Sequence, residues 1–242
     1  MELVYVFHSG FAVLSDKASL LFDYYEDTDK EHGFVHEELL KRPEPLYVFS
    51  SHFHQDHFNP EIFKFKEKKD NIVYILSADI ARKRFKYVKD QDYIKLRKGG
   101  SFEDDLIKVK AFGSTDIGVS FAVNLEEKEI FHSGDLNNWH WMDESTQEEW
   151  QGYEKSYLDE LSYIKKDKRS FDLVMFPVDP RLHEEKSRGA RQFLEAFNVK
   201  VLAPMHFWDK PEDDEKLLQS AKEHDVLLLN IKKRGQKFSL PW

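Results

Sequence analysis

The sequence predicts an α/β fold, on three observations. Runs 46–49 (LYVF), 72–76 (IVYIL) and 172–176 (DLVMF) are almost continuously apolar, as expected of strands buried on both faces. Helical patterns separate these runs, and polar residues capable of chemistry collect where the runs end. The 242 residues contain neither a solenoid-type repeat nor a low-complexity linker, so a single domain over 1–242 is the economical organisation.

Composition narrows the function. The 20 Phe, 10 Tyr and 5 Trp can fill a sizeable core, and 33% charged residues supply a solvated surface. No run approaches membrane-spanning length, and Met1-Glu2-Leu3-Val4-Tyr5 lacks the basic start of a secretory signal, so a cytoplasmic protein without membrane association is expected. The absence of cysteine excludes disulfides, thiolate metal sites and a cysteine nucleophile, so any metal must be held by histidine and carboxylate. A net charge of -9 argues against a nucleic-acid partner, and the basic cluster at 64–69 reads as a solvated helix face.

The elements follow in order. Runs 3–7, 11–14 and 19–23 predict a meander of three short strands, with His8 in the first turn and Asp23 at the end of the third. His8 reads either as a pocket residue or as a hydrogen-bonded turn residue, and Asp23 either as an orienting carboxylate or as a turn initiator. His32 and His36 fall in a polar loop region. Strand 46–49 carries the motif loop, Pro60 opens a helix, and strand 72–76 leads into a helix over 78–87. Strands at 93–96, 107–112, 119–123 and 129–132 form a second half. Ser145 with Glu148 predicts a capping box for a helix whose stripe of Trp150, Tyr153, Tyr157, Leu161 and Ile164 reads as packing. Strand 172–176, a helix through 190–197, strand 199–203, a helix opened by Pro211 with an acidic first turn, and strands 226–229 and 236–240 complete the chain.

One stretch stands apart. Ser51-His52-Phe53-His54-Gln55-Asp56-His57 puts three imidazoles and a carboxylate into one turn after a strand. A borderline divalent ion takes imidazole nitrogen and carboxylate oxygen, and a tight loop can aim neighbouring side chains at one point. Later strand ends add Asp135, the 179–183 loop and His206. Two ions a few ångströms apart need about six to eight donors including a bridging carboxylate, and His52, His54, Asp56, His57, Asp135 and His206 supply six.

The stretch His52-x-His54-x-Asp56-His57, the later Gly134-Asp135 and Pro204-x-His206 resemble, in type and order, the metal motifs of metallo-β-lactamase-fold hydrolases. His8-Ser9-Gly10-Phe11 and Pro204-Met205-His206-Phe207 resemble most the L-ascorbate-6-phosphate lactonase-like branch. The resemblance implies a four-layer αββα sandwich with the site along one edge of its two sheets. It implies that His52 and His54 bind one ion, that Asp56, His57 and His206 bind a second, and that Asp135 bridges them. Zinc is the first expectation, with manganese, iron and nickel as other divalent candidates for a site of one or two ions. Metal-activated water would attack a carbonyl or phosphoryl centre, with Asp56 orienting it.

One departure matters. The family places a third histidine for the first ion where this chain reads Phe112-Gly113-Ser114-Thr115-Asp116-Ile117-Gly118. Asp116 is the best substitute; a hydroxyl of Ser114 or Thr115, or a displaced His132 or His140, is another route, and a weakened first site is the remaining one. Trp139, His140, Arg181 and His183 lie beside ligand-bearing loops and are candidates for binding a small-molecule substrate, with Arg181 and His183 suited to an anionic group and His183 also a catalytic candidate. The expected activity is hydrolysis of a small anionic ester, lactone or phosphodiester. A nuclease or cyclic-nucleotide phosphodiesterase, and a degenerate ligand-binding or sensing module, are the alternatives. Aromatic residues in the loops are compatible with a homo-oligomer.

Overall fold

A computed structural model describes all residues, 1–242. The strands form two seven-stranded sheets. The first holds β1 (Glu2–Phe7), β2 (Gly10–Leu14), β3 (Ser19–Phe22), β4 (Leu46–Ser50), β5 (Ile72–Ser77) and β6 (Ile94–Leu96) in sequence order, antiparallel up to β3 and parallel beyond it. The second holds β7 (Ser101–Glu103), β8 (Ile107–Phe112), β9 (Ser120–Leu125) and β10 (Lys128–His132) as antiparallel neighbours, then β11 (Ser170–Pro177), β12 (Asn198–Met205) and β13 (Leu227–Leu228) in parallel. The last strand, β14 (Lys237–Ser239), returns to the first sheet beside β1.

Alternation along each strand decides the layers. Leu3, Tyr5, Phe11, Val13, Leu20 and Phe49 of the first sheet meet Val109, Phe121, Val123, Met175 and Val201 of the second in the central core. The residues between them, such as Val4, Val6, Leu21 and Val48, face outward onto α1 (Phe34–Glu37), α2 (Ala78–Lys83) and α3 (Phe85–Val88). On the far side, Phe131, Val174 and Leu202 face α4 (Gln147–Ile164), α5 (Arg188–Ala196) and α6 (Glu215–Glu223). The result is the four-layer αββα sandwich that the motif resemblance implies, with three apolar layers covering both faces of both sheets.

Several local expectations shift. The α4 capping box is Thr146 with Glu149, one residue later than expected, because Thr146 accepts the Glu149 N–H and the Glu149 side chain reaches back. Pro60 opens a 3-10 segment, Pro60–Glu67, rather than an α-helix. The helix expected over 78–87 breaks into α2 and α3 at Arg84. The last helix starts at Glu215, where the Asp214 side chain caps the Leu217 N–H, so 211–213 stay outside it. No helix is long and apolar enough to cross a membrane.

Candidate metal centre

The motif loop leaves β4 and turns back under the 113–119 segment of the second sheet. The close approach depends on Gly118, which sits at φ +83°; a Cβ there would lie 2.1 Å from the Ser51 carbonyl oxygen. Val119 N donates to that same oxygen at 3.0 Å. Gly134, at φ +53°, lets the β10 end pack on Ser51 in the same way. Glu160 of α4 accepts the Gly113 N–H at 2.8 Å and fixes the start of the 113–118 loop.

Two groups of donor atoms result. His8, Asp56, His57 and His206 form one; His52, His54, Asp116 and Asp135 form the other, with the donor atoms of each within 4.8 Å of one another. Asp135 joins them, since Oδ1 lies 3.2 Å from His57 Nε2 and 3.3 Å from His206 Nε2, while Oδ2 lies 3.4 Å from His52 Nε2. The seven residues expected as ligands, Asp116 included, therefore come together at one edge of the two sheets. His8 joins them.

The groups differ in exposure. His57 and His206 are buried, whereas the His54 and Asp116 side chains are 41% and 47% exposed and lie 3.7 Å apart. Burial, and then the charge of Asp135, push the Asp116 carboxyl up. Burial and the neighbouring His57 push the His52 imidazole down to about 3, so its lone pair is available near neutrality. Burial alone would raise the Asp135 carboxyl, but His57, His206 and His52 around it hold it well below the usual carboxylate range.

Behind the donors stands a layer of fixed partners. Asp23 is buried; its Oδ1 accepts the Ser51 N–H at 2.7 Å and its Oδ2 meets His57 Nδ1 at 2.7 Å. The Asp23 side chain is thus the orienting carboxylate, and the turn-initiator alternative falls away. Asp179 does the same for His206, at 2.8 Å from Nδ1. Burial would raise the Asp179 carboxyl, but His206 and Arg181 hold it down at about 2. Sequence reasoning marked the 179–183 loop without assigning Asp179, whose place at a strand end two residues from an arginine is the signal that was present.

A fit to divalent ions can be read from unpaired atoms. His57 Nε2, His206 Nε2 and Asp135 Oδ1 are buried and lack a hydrogen-bond partner. Leaving such groups unpaired costs roughly 1–3 kcal/mol each, and three of them converging on one point is the arrangement a cation relieves. The chemistry of the donors, imidazole nitrogen and carboxylate oxygen, suits zinc, manganese, iron and nickel alike.

Other candidates for the missing imidazole are committed elsewhere. His132 Nε2 contacts the Ser9 carbonyl at 2.8 Å, and its Nδ1 accepts the Gly134 N–H. The Thr115 hydroxyl donates to the Asn137 carbonyl and accepts the Asn137 N–H, tying the two loops together. Ser114 Oγ accepts the Asp116 N–H at 3.3 Å.

A cavity of about 330 Å³ opens beside Asp135, lined by Thr115, Asp116, Trp139, Trp141, Tyr153 and Arg181. The Trp139 and Trp141 rings stack at 5.9 Å and 12°, Trp139 Nε1 donates to the Asp135 carbonyl at 2.8 Å, and the Arg181 guanidinium lies 5.5 Å from the Trp141 ring centre. Tyr153, read as part of a packing stripe, is 44% exposed and faces this cavity, because it precedes the first buried turn of α4. The expected substrate residues Trp139 and Arg181 line the cavity; His140 and His183 do not. His140 is buried, with Nδ1 accepting the Met142 N–H and Nε2 at 3.3 Å from the Glu185 carbonyl. His183 is exposed, adopts φ +52° and belongs to neither donor group.

No family model matches the chain, and no curated protein matches it. Solved structures do. Igni18, a novel metallo hydrolase from the hyperthermophilic archaeon Ignicoccus hospitalis KIN4/I, is similar with a TM-score of 0.69 at 14% identity, over 98% of each chain. CmlA, a diiron beta-hydroxylase from Streptomyces venezuelae, gives 0.68 at 13% identity over 99% of this chain and 54% of that one, so this chain spans about half its length. The metallo-beta-lactamase fold protein YhfI from Bacillus subtilis gives 0.63 at 14% identity over 98% of each chain. The chain therefore has the metallo-β-lactamase fold.

Proposed function

We propose that the chain is a metal-dependent hydrolase acting on a small anionic ester, lactone or phosphodiester. The observation that carries this reading is the pair of donor groups joined by Asp135, with buried unpaired atoms converging on it. His57, His206, Asp56 and Asp135 would hold one ion, and His52, His54, Asp116 and Asp135 a second. Divalent ions supply a water of near-neutral pKa and stabilise the oxyanion that develops on the attacked centre.

The protein's own groups do the rest. Asp23 and Asp179 fix the His57 and His206 rings by their Nδ1 atoms and so aim both Nε2 atoms inward. The stacked Trp139 and Trp141 give the substrate an apolar wall, and Arg181 is the one cationic side chain lining the cavity. A volume of about 330 Å³ suits a small molecule, and an anionic group set against Arg181 would place the scissile bond towards Asp135. Within this class the motif resemblance favours the lactone. The diiron centre of the similar CmlA makes iron worth including with zinc and manganese in reconstitution.

Metal-loaded protein should turn over a panel of lactones or bis-aryl phosphodiesters, and the preference between the two assigns the reacting centre. His54→Ala and Asp135→Ala should abolish turnover. Absence of any bound transition metal after reconstitution, together with inactivity on both panels, would overturn the reading.

A further inference from the structure

Four histidines direct an Nε2 atom into the cluster, and their other ring nitrogens divide them into two kinds. His57 and His206 set Nδ1 against the carboxylates of Asp23 and Asp179, and His52 sets Nδ1 3.0 Å from Ser51 Oγ, whose own proton goes to Asp23 at 2.6 Å. An acceptor facing Nδ1 fixes a proton there, so whatever proton such a ring gives up leaves from Nε2, exposing the lone pair an ion needs. His8 is wired the other way. Its Nδ1 accepts the backbone N–H of Trp208 at 3.2 Å. A nitrogen that accepts carries no proton, so the His8 proton sits on Nε2, and the same bond excludes the doubly protonated ring.

We infer that His8 is not a metal ligand but the inward-facing hydrogen-bond donor of the cluster, a positioning residue that holds the Asp56 carboxylate. Its Nε2 lies 3.3 Å from Asp56 Oδ2, too poorly aligned for a full hydrogen bond as the atoms stand, and has no other partner. Asp56 needs such a hold. Its side chain is 25% exposed, and its Oδ2 lies 3.6 Å and 4.0 Å from the His57 and His206 Nε2 atoms.

The backbone around His8 is built to keep this orientation. His8 adopts φ +55°, a left-handed conformation that is strained for a non-glycine residue and persists only when its surroundings impose it. The surroundings are specific: the His8 N–H is donated to the Tyr5 hydroxyl at 2.9 Å, its carbonyl accepts the His206 N–H at 3.1 Å, and its ring stacks on Trp208 at 4.1 Å. Trp208 is held in turn, its carbonyl accepting the Tyr5 hydroxyl at 3.1 Å. One tyrosine thus anchors both partners of the bond that sets the tautomer.

The word ligand rests on the proposed metal centre, but the tautomer does not, and the test separates the two. Long-range 15N–1H NMR of the histidine rings is recorded on metal-free and zinc-loaded protein, with zinc content measured on the same samples. His8 should carry its proton on Nε2 in both, while the Nε2 resonances of His52, His57 and His206 move on loading. A His8 proton on Nδ1 without zinc, or a His8 Nε2 that loses its proton and moves with zinc, overturns the inference. If no zinc is taken up, the metal centre fails and the metal-free spectrum still decides His8. Two variants extend the test: His8→Gln keeps a donor and should retain zinc affinity within about threefold, whereas His8→Phe should lose about 10- to 100-fold. Equal losses in both would also overturn it.

Discussion

Asp23 and His57 meet through Oδ2 and Nδ1 at 2.7 Å, both fully buried, and the same carboxylate takes the backbone N–H of Ser51 at the head of the motif loop. One side chain therefore fixes both the path of the loop and the ring of a donor within it. Asp23→Asn should weaken metal affinity about 10- to 100-fold and lower stability by about 1.5–3 kcal/mol, the range for charge-assisted hydrogen bonds. Chelator competition reads the first and urea unfolding the second.

The two donor groups should lose ions in sequence. The His54 and Asp116 side chains are roughly half exposed while His57 and His206 are buried, so an ion held beside Asp116 should exchange first. Asp116→Ala should reduce two bound ions towards one, and Asp135→Ala should compromise both. Elemental analysis after stepwise chelation checks the order; simultaneous loss in the wild type would count against it.

Acid should expose the Asp179 contacts. The Asp179 carboxyl is held at about 2 in the folded chain, against an ordinary value of about 3.9 when unfolded. A lowered carboxyl pKa contributes stability that is present above the unfolded value and is lost as pH falls through the folded one, here a loss of about 2 kcal/mol between about pH 4 and 2. Urea midpoints of metal-free protein should show that slope, and Asp179→Asn should flatten it.

Gly118→Ala should be among the most damaging single-methyl changes in the chain. The new Cβ would sit 2.1 Å from the Ser51 carbonyl oxygen, on a backbone at φ +83° that alanine resists. A destabilisation of about 2–4 kcal/mol is expected, seen as a lower urea midpoint with little change in slope.

Trp141→Ala should raise KM about three- to tenfold with little change in kcat, the value of one aromatic contact, on whichever substrate panel is turned over. A fall in kcat at constant KM would instead place Trp141 at the reacting atoms. Trp139 is the poorer choice for this measurement, since its indole N–H is bonded to the Asp135 carbonyl.

How much was legible in the sequence depended on how local the signal was. The motif loop is contiguous, so its donors could be named from spacing, and Asp116 could be singled out because its loop offers no imidazole. Thirteen of the fourteen strands were legible from apolar runs, with boundaries shifted by a residue or two; β7 escaped because Phe102 is its one apolar residue. The missed features are set by distant contacts. The Asp179 role needs His206, 27 residues on, and the His8 tautomer needs a backbone N–H 200 residues away. His140 and His183 lie outside the cavity lining because adjacency in sequence to a ligand loop says nothing of which way a ring turns: one is tied down by Met142 and Glu185, the other faces solvent. Tyr153 misled because a periodic stripe marks a helix face but not where along the helix the sheet ends.

Neither donor group is complete on one sheet. His8 and the motif loop belong to the strands of the first, while Asp116, Asp135 and His206 follow β8, β10 and β12 of the second. An ion bound to either group is then a clasp across the sandwich, and its binding energy is spent on keeping two separately hydrogen-bonded sheets in register. Metal supply would set the mechanical integrity of this edge as well as its chemistry: starved chains should open there first, along the seam between the sheets.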